Sequence, residues 1–89
     1  MASIPSSELK KLKARAQLLN PAVKVGKAGV SDAFLASLED ALKRSGLVKI
    51  KFDEFKEQKK ELVPQIAEKT NSQVVLRVGN TAVLYRPGA

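Results

Sequence analysis

Apolar and polar positions follow two rhythms along this 89-residue chain. Leu9, Leu12, Ala16 and Leu19 recur at intervals of three and four, which predicts a helix from about Ser6 to Leu19. Ser6 or Pro5 would open it. Asn20-Pro21 would close it, because the residue before a proline is pushed out of helical geometry. Ala22 to Val25 reads as a short strand, and Gly26 to Gly29 as a loop. Ser31 suits the cap of a second helix running to about Ser45, with Phe34, Leu35, Leu38, Ala41 and Leu42 on its apolar face. Its charges follow the helix dipole, with Asp32 in the first turn and Lys43 and Arg44 in the last. Gly46 fits the left-handed residue that ends such a helix.

From Leu47 to Phe52 the rhythm shortens to two: Val48, Ile50 and Phe52 point one way, Lys49 and Lys51 the other. This predicts a strand in a sheet with one buried and one wet face. A third helix covers roughly Glu54 to Thr70, with Leu62, Val63, Ile66 and Thr70 on one face and Asn71 at its end. Pro64 interrupts it, since proline donates no hydrogen bond and crowds the carbonyl of Lys60. Either the helix kinks there, or its regular part starts near Glu61 and Pro64 lies in the first turn. Gln73 to Val78 and Thr81 to Arg86 read as strands around a Gly79-Asn80 hairpin turn. The order α-β-α-β-α-β-β predicts an α/β fold, a two-layer open sandwich on a mixed four-stranded sheet. Its two βαβ crossovers imply parallel pairing, with the last strand antiparallel. The length and the absence of repeats point to a single domain over residues 1–89, with Met1 to Ser3 and Pro87 to Ala89 expected to be loose.

Composition narrows the chemistry. The chain has no cysteine and no histidine, which excludes disulfides, thiolate and imidazole metal sites, and Cys or His catalysis. No apolar run is long enough to span a membrane, and "MASIPSSELKK" lacks the apolar segment of a secretory signal, so a cytoplasmic location is expected. The net charge is +7. Its distribution is uneven: residues 1–31 carry six basic groups (Lys10, Lys11, Lys13, Arg15, Lys24, Lys27) against Glu8 alone, and the rest of the chain ten against eight. Lys10, Lys11 and Arg15 fall away from the apolar stripe of the first helix and form a basic strip. A surface built only for solubility mixes both signs. This one favours an anionic polymer, nucleic acid above all.

The stretch "KVGKAGVSD" stands at the end of that basic third. Glycines let backbone N–H groups approach a ligand, and the helix that follows offers unpaired donors and partial positive charge. Lys24 and Lys27 add full charges beside them. The plainer reading is a tight turn that needs positive φ. The pattern is neither a Walker loop nor a dinucleotide fingerprint. A G-x-x-G loop that clamps a nucleic-acid backbone is the device of KH domains. Asp32 counts against a bare anion cup at the helix end, so contact is expected through Lys27 and the backbone of Gly26, Ala28 and Gly29. Lys49 and Lys51 extend the positive surface, and Arg77, Tyr85 and Arg86 are further candidates, Tyr85 for stacking a base or packing on the sheet edge. The run "DEFKEQKKE" is mixed in sign and reads as a solvated helix start. Asp32, Glu39 and Asp40 lie opposite their helix's apolar stripe, where carboxylates are solvated, so catalysis has little support.

These residues together resemble the CRM domain (chloroplast RNA splicing and ribosome maturation), also called the YhbY-like family. The carrying segments are "LKKLKARAQLLNPAVKVGKAGVSDAFLASLEDALKRSGLVKIKF" and "VVLRVGNTAVLYRP", with Pro21, Gly26, Gly29, Ser31, Gly79, Leu84, Tyr85 and Arg86 at the matching positions. The resemblance implies a fold like the C-terminal domain of bacterial translation initiation factor three, and RNA binding through Gly26, Lys27, Ala28 and Gly29. A bare chain of this length resembles the bacterial members, which are associated with precursors of the large ribosomal subunit. The implied partner is therefore RNA, 23S ribosomal RNA or pre-50S particles, with no cofactor, metal, small-molecule substrate or membrane. Pro64 is not part of the family pattern. With three residues after Arg86, no basic tail of the kind some relatives carry is expected, which would shift RNA affinity onto the first helix and the loop. Two other classes are weighed. One is a protein-docking module on ribosomal particles whose charge only steers association. The other is a DNA binder, which the acidic exposed face of the second helix disfavours.

Overall fold

The computed structural model describes residues 5–86, so the expectations for the two chain ends lie outside the described residues. Three helices and four strands follow in the expected order: α1 (Ser6–Leu18), β1 (Val23–Val25), α2 (Asp32–Ser45), β2 (Leu47–Phe52), a single 3₁₀ turn (Lys56–Gln58), α3 (Lys59–Lys69), β3 (Gln73–Val78) and β4 (Thr81–Tyr85). Local chemistry sets the boundaries. The Ser31 hydroxyl accepts the Phe34 N–H at 3.1 Å and satisfies one of the free donors at the start of α2. Gly46, at φ 74°, ends α2 with its N–H donated to the Leu42 carbonyl. At the end of α3, Asn71 takes positive φ, its N–H reaches the Glu68 carbonyl, and the Ser72 N–H reaches the Ala67 carbonyl. That pair is a Schellman closure, and it uses up carbonyls that the helix would otherwise leave open.

Pro64 does not lie in the first turn of α3, as a start near Glu61 would have placed it. The 3₁₀ turn leads into α3 at Lys59, two residues before Glu61, so Pro64 stands in the second turn. The Lys60 carbonyl accordingly gets no intrahelical donor from residue 64. Pro64 is exposed, so that carbonyl lies on the watered side of a helix whose inner face is Val63, Ile66 and Ala67.

The sheet is mixed, with spatial order β1-β2-β4-β3. β1 and β2 pair in parallel across α2, as expected. The second crossover is different. β3 runs in the same direction as β2 but does not pair with it, because β4 returns between them and is antiparallel to both. The hairpin closes at Gly79, with φ 56°. Pairing jumps from Val74↔Leu84 to Leu76↔Val83, leaving Val75 as the extra residue of a β-bulge. Val75 is buried, and it packs with Leu76 and Val83.

Side chains alternate across a sheet, so each strand supplies two faces. One face carries Val48, Ile50, Phe52, Ala82 and Leu84 against Phe34, Leu38 and Leu42 of α2 and Val63 and Ile66 of α3. The other carries Leu47, Val75 and Val83 against Leu12 and Ala16 of α1. The expectation of helices on one face and a wet opposite face holds only in part. α1 folds back over that opposite face, and the lysines keep the strip that α1 leaves uncovered. The reason is compositional: Leu47, Val83 and Tyr85 share a face with Lys49, so enough apolar surface is present there to hold one helix. Burying a leucine side chain is worth about 2 kcal/mol, and α1 rests on few such side chains.

Replacing either Leu38 or Leu12 by Ala should lower unfolding stability by about 2–5 kcal/mol in urea titrations. A silent Leu12→Ala would show that α1 is not packed on the sheet.

Candidate nucleic-acid interface

β1 is the edge strand that delivers the "GKAG" loop. Val23 and Val25 turn into the α2 side, where Val25 is fully buried, and Lys24 is left on the opposite, exposed side. Register places Lys24 directly beside Lys51, with Lys49 two positions back along β2. Like charges set directly opposite each other cost a few tenths of a kcal/mol or more. The Asp53 carboxylate, 3.8 Å from Lys51, offsets part of this, and both of these side chains are well exposed. Lys49 is half-buried and donates to the Leu19 carbonyl at 3.1 Å, which satisfies an acceptor just past the end of α1. Lys24 and Lys27 are exposed and, among the described residues, form no ion pair.

The two glycines do different work. Gly29 has φ 69°, donates to the Gly26 carbonyl at 2.9 Å, and accepts the Ser31 N–H at 3.0 Å. A Cβ there would stand 3.3 Å from the Phe55 ring. Backbone conformation and packing both require glycine at this position. Gly26 has neither constraint: its φ is not positive, and a Cβ built on it would meet nothing within 4 Å. Its missing side chain leaves open space over the backbone where β1 ends. An open groove of about 570 Å³ runs there, between the loop and the first turns of α2, lined among others by Pro21, Lys24, Gly26, Lys27, Ser31 and Ser37. Asp32 is exposed and does not line it. The geometry offers loop N–H groups and two ammonium groups to an anion, with the capped helix end set back.

The basic residues read from the sequence do not all converge. Gly26, Lys27, Ala28 and Gly29 gather with Lys24, and Lys51 lies next to Lys24. Lys10, Lys11 and Arg15 are exposed on α1, whose inner side holds Leu12 and Ala16 against the face that bears Lys24 and Lys51. Three candidates lie elsewhere. Arg77 is exposed but sits on β3, with β2 and β4 between it and β1, and its register partner Ala82 places it on the α2–α3 side. Tyr85 packs with the α1 core, and its hydroxyl donates to Glu8 at 3.3 Å. Arg86 is held by the Glu39 carboxylate, at 3.0 Å to Oε2, and donates to the Thr70 carbonyl at 2.9 Å. Its side chain is only 17% exposed, so it ties β4 to α2 and to the end of α3 rather than facing a ligand. Charge in the sequence could not separate these residues from the loop group, because what sets them apart is a partner or a strand position that only folding supplies.

One residue beside the loop was not singled out by sequence reasoning. Phe55 lies inside the charge-rich run read as a solvated helix start, yet it precedes the 3₁₀ turn in a left-handed conformation with its ring on Gly29. A lone aromatic in that polar run was the available signal.

Comparison with known proteins places this geometry in a wider set. The profile of the CRS1 / YhbY (CRM) domain matches residues 4–86. A Haemophilus influenzae protein named RNA-binding protein is 33% identical over 88 residues, covering 98% of this chain and 89% of that one. A Bacillus subtilis protein named probable RNA-binding protein YqeI is 33% identical over 76 residues, covering 84% and 79%. The solution structure of a hypothetical Staphylococcus aureus protein, described as a candidate RNA binding protein, matches with a TM-score of 0.81 at 26% identity, over 98% of this chain and 92% of that one.

The two glycines can be told apart by substitution. Gly29→Ala should cost about 1–2 kcal/mol through the left-handed backbone alone, with the Phe55 contact adding to it. Gly26→Ala should leave stability unchanged or raise it by about 0.4–1 kcal/mol by stiffening the unfolded chain. Urea midpoints of the two variants check this. Arg86→Ala should lower stability by about 1.5–3 kcal/mol, the value of hydrogen bonds to a charged group.

Proposed function

The chain belongs to the CRS1 / YhbY (CRM) domain family, and on that footing we propose that it is an RNA-binding accessory protein in assembly of the large ribosomal subunit. The observation that carries the reading is Gly26. The fold does not require a glycine there, and the open backbone it leaves is flanked by Lys24 and Lys27, neither of them in an ion pair among the described residues. A sugar-phosphate backbone fits such a place. It brings anionic oxygens to loop N–H groups and ammonium groups, and it needs close approach to the main chain. The relatives' names support RNA as the polymer. The proposed target is precursor 23S ribosomal RNA in the cytoplasm, in keeping with the bacterial members that the chain resembles.

In this reading the strand lies along the groove beside α2, with Lys24 and Lys27 on phosphates and Lys51 and the exposed side of α1 extending the positive field. Much of the affinity is counterion release, so it falls steeply with salt. Contacts of this kind set position and register and carry little sequence information. Catalysis has no part in the proposal.

Lys24→Glu with Lys27→Glu should weaken binding to ribosomal RNA on the order of tenfold or more at moderate salt and reduce the salt slope by about 2, with an unchanged circular dichroism spectrum. Wild-type affinity in the double variant would remove the loop from the interface. Association with ribosomal particles that survives nuclease treatment would favour protein docking instead.

A further inference from the structure

The protein has three phenylalanines, and they have different fates. Phe34 and Phe52 are core residues, whereas Phe55 keeps 41% of its surface exposed. Its backbone is left-handed, at φ 58° and ψ 34°, a region where a bulky side chain is uncommon and glycine or asparagine is at ease. The segment is pinned in place. The N–H groups of Asp53 and Glu54 both donate to the Val25 carbonyl at 3.1 Å, and the Gln58 N–H donates to the Phe55 carbonyl at 3.1 Å. Val25 is the residue before Gly26. The turn that carries Phe55 and the "GKAG" loop therefore share one anchor, and the edge of the ring rests on the face of Gly29 that has no Cβ.

Packing on Gly29 accounts for one edge of the ring. A leucine would cover the same glycine, and 41% of the Phe55 surface stays open to solvent. The surroundings limit what could. Within two residues of Phe55 in sequence, the exposed Asp53, Glu54 and Glu57 outnumber the exposed Lys56, whereas Lys27 stands on the loop. Phosphates are repelled from the ring and drawn to the loop. The uncharged, flat part of a nucleotide, its base, is the complement of an exposed aromatic ring beside a phosphate-holding loop.

We propose that Phe55 is a stacking platform for one unpaired nucleobase of an RNA strand whose backbone is held by Gly26 to Gly29 and Lys27. The ligand class is thereby single-stranded RNA: bases in a duplex are already stacked on each other and present no free face. Stacking tolerates any base, so the contact selects unpaired RNA rather than a sequence. The proposal rests on the RNA-binding reading above and adds to it the strandedness of the target.

The protein has no tryptophan, so Phe55→Trp introduces a single reporter at this position. Its emission is followed during titration with a single-stranded RNA oligonucleotide, the same sequence as a duplex, and an abasic ribose-phosphate oligomer, while anisotropy of end-labelled RNA reports binding independently. The expected result is saturable quenching by the single strand and none by the duplex or the abasic oligomer. Phe55→Leu, which keeps an apolar cover on Gly29, should fold like the parent by circular dichroism and lose about tenfold in single-strand affinity. RNA binding with no change in tryptophan emission, wild-type affinity in Phe55→Leu, or a preference for duplex would each overturn the stacking proposal while leaving the RNA-binding reading standing. Absence of RNA binding by the parent chain would overturn both.

Discussion

Alternation along β2 is the constraint on which the rest of the structure depends. Val48, Ile50 and Phe52 enter the core shared with α2 and α3, and Leu47 enters the one shared with α1. Lys49 and Lys51 continue that second face, Lys49 reaching the Leu19 carbonyl at the end of α1 and Lys51 lying beyond it. A slip of one residue would put both lysines into the larger core and expose three apolar side chains, so the register is held by burial on two sides at once. β2 also joins the two halves of the topology, since it pairs in parallel with β1 and antiparallel with β4. The loop after β1 and the hairpin of β3 and β4 are both positioned from this strand.

The loop follows from the same arrangement. β1 is only three residues long, and it ends where the Val25 carbonyl accepts two N–H groups from the segment after β2. That anchor fixes the start of the loop, and the Ser31 cap fixes its end. Between them Gly29 supplies the backbone conformation, while Gly26 supplies only space. Rigid ends with an open middle suit a site that meets a polymer, because little ordering remains to be done when the ligand arrives. The adjacent Lys24 and Lys51 remain side by side although their mutual repulsion works slightly against the fold.

The end of the sheet opposite the loop is closed by polar contacts of a different kind. Arg86 links the end of β4 to Glu39 of α2 and to the Thr70 carbonyl past α3, and its N–H bonds the Gly46 carbonyl. Thr70 and Ser72 are buried, with their hydroxyls 2.8 Å apart. This corner locks both helices of the larger core to the last strand. An arginine that looked like part of a basic surface is thereby a structural clamp.

By itself the sequence determined the element order, the strand limits of β2 and β3, the caps at Ser31, Gly46 and Asn71, and the location of the loop. These features depend on local periodicity and on the backbone preferences of single residues, which act over a few positions. Only the tertiary structure decided that β4 lies between β2 and β3, that α1 covers the second face, and that Pro64 sits one turn inside α3. Only it could separate Lys24 and Lys27 from Arg77 and Arg86, or place Phe55 on Gly29. Each of those outcomes depends on which distant residues meet. Strand insertion, the burial of Arg86 by Glu39 and the contact of a ring with a glycine 26 positions away are long-range pairings, and neither charge count nor hydrophobic period encodes them.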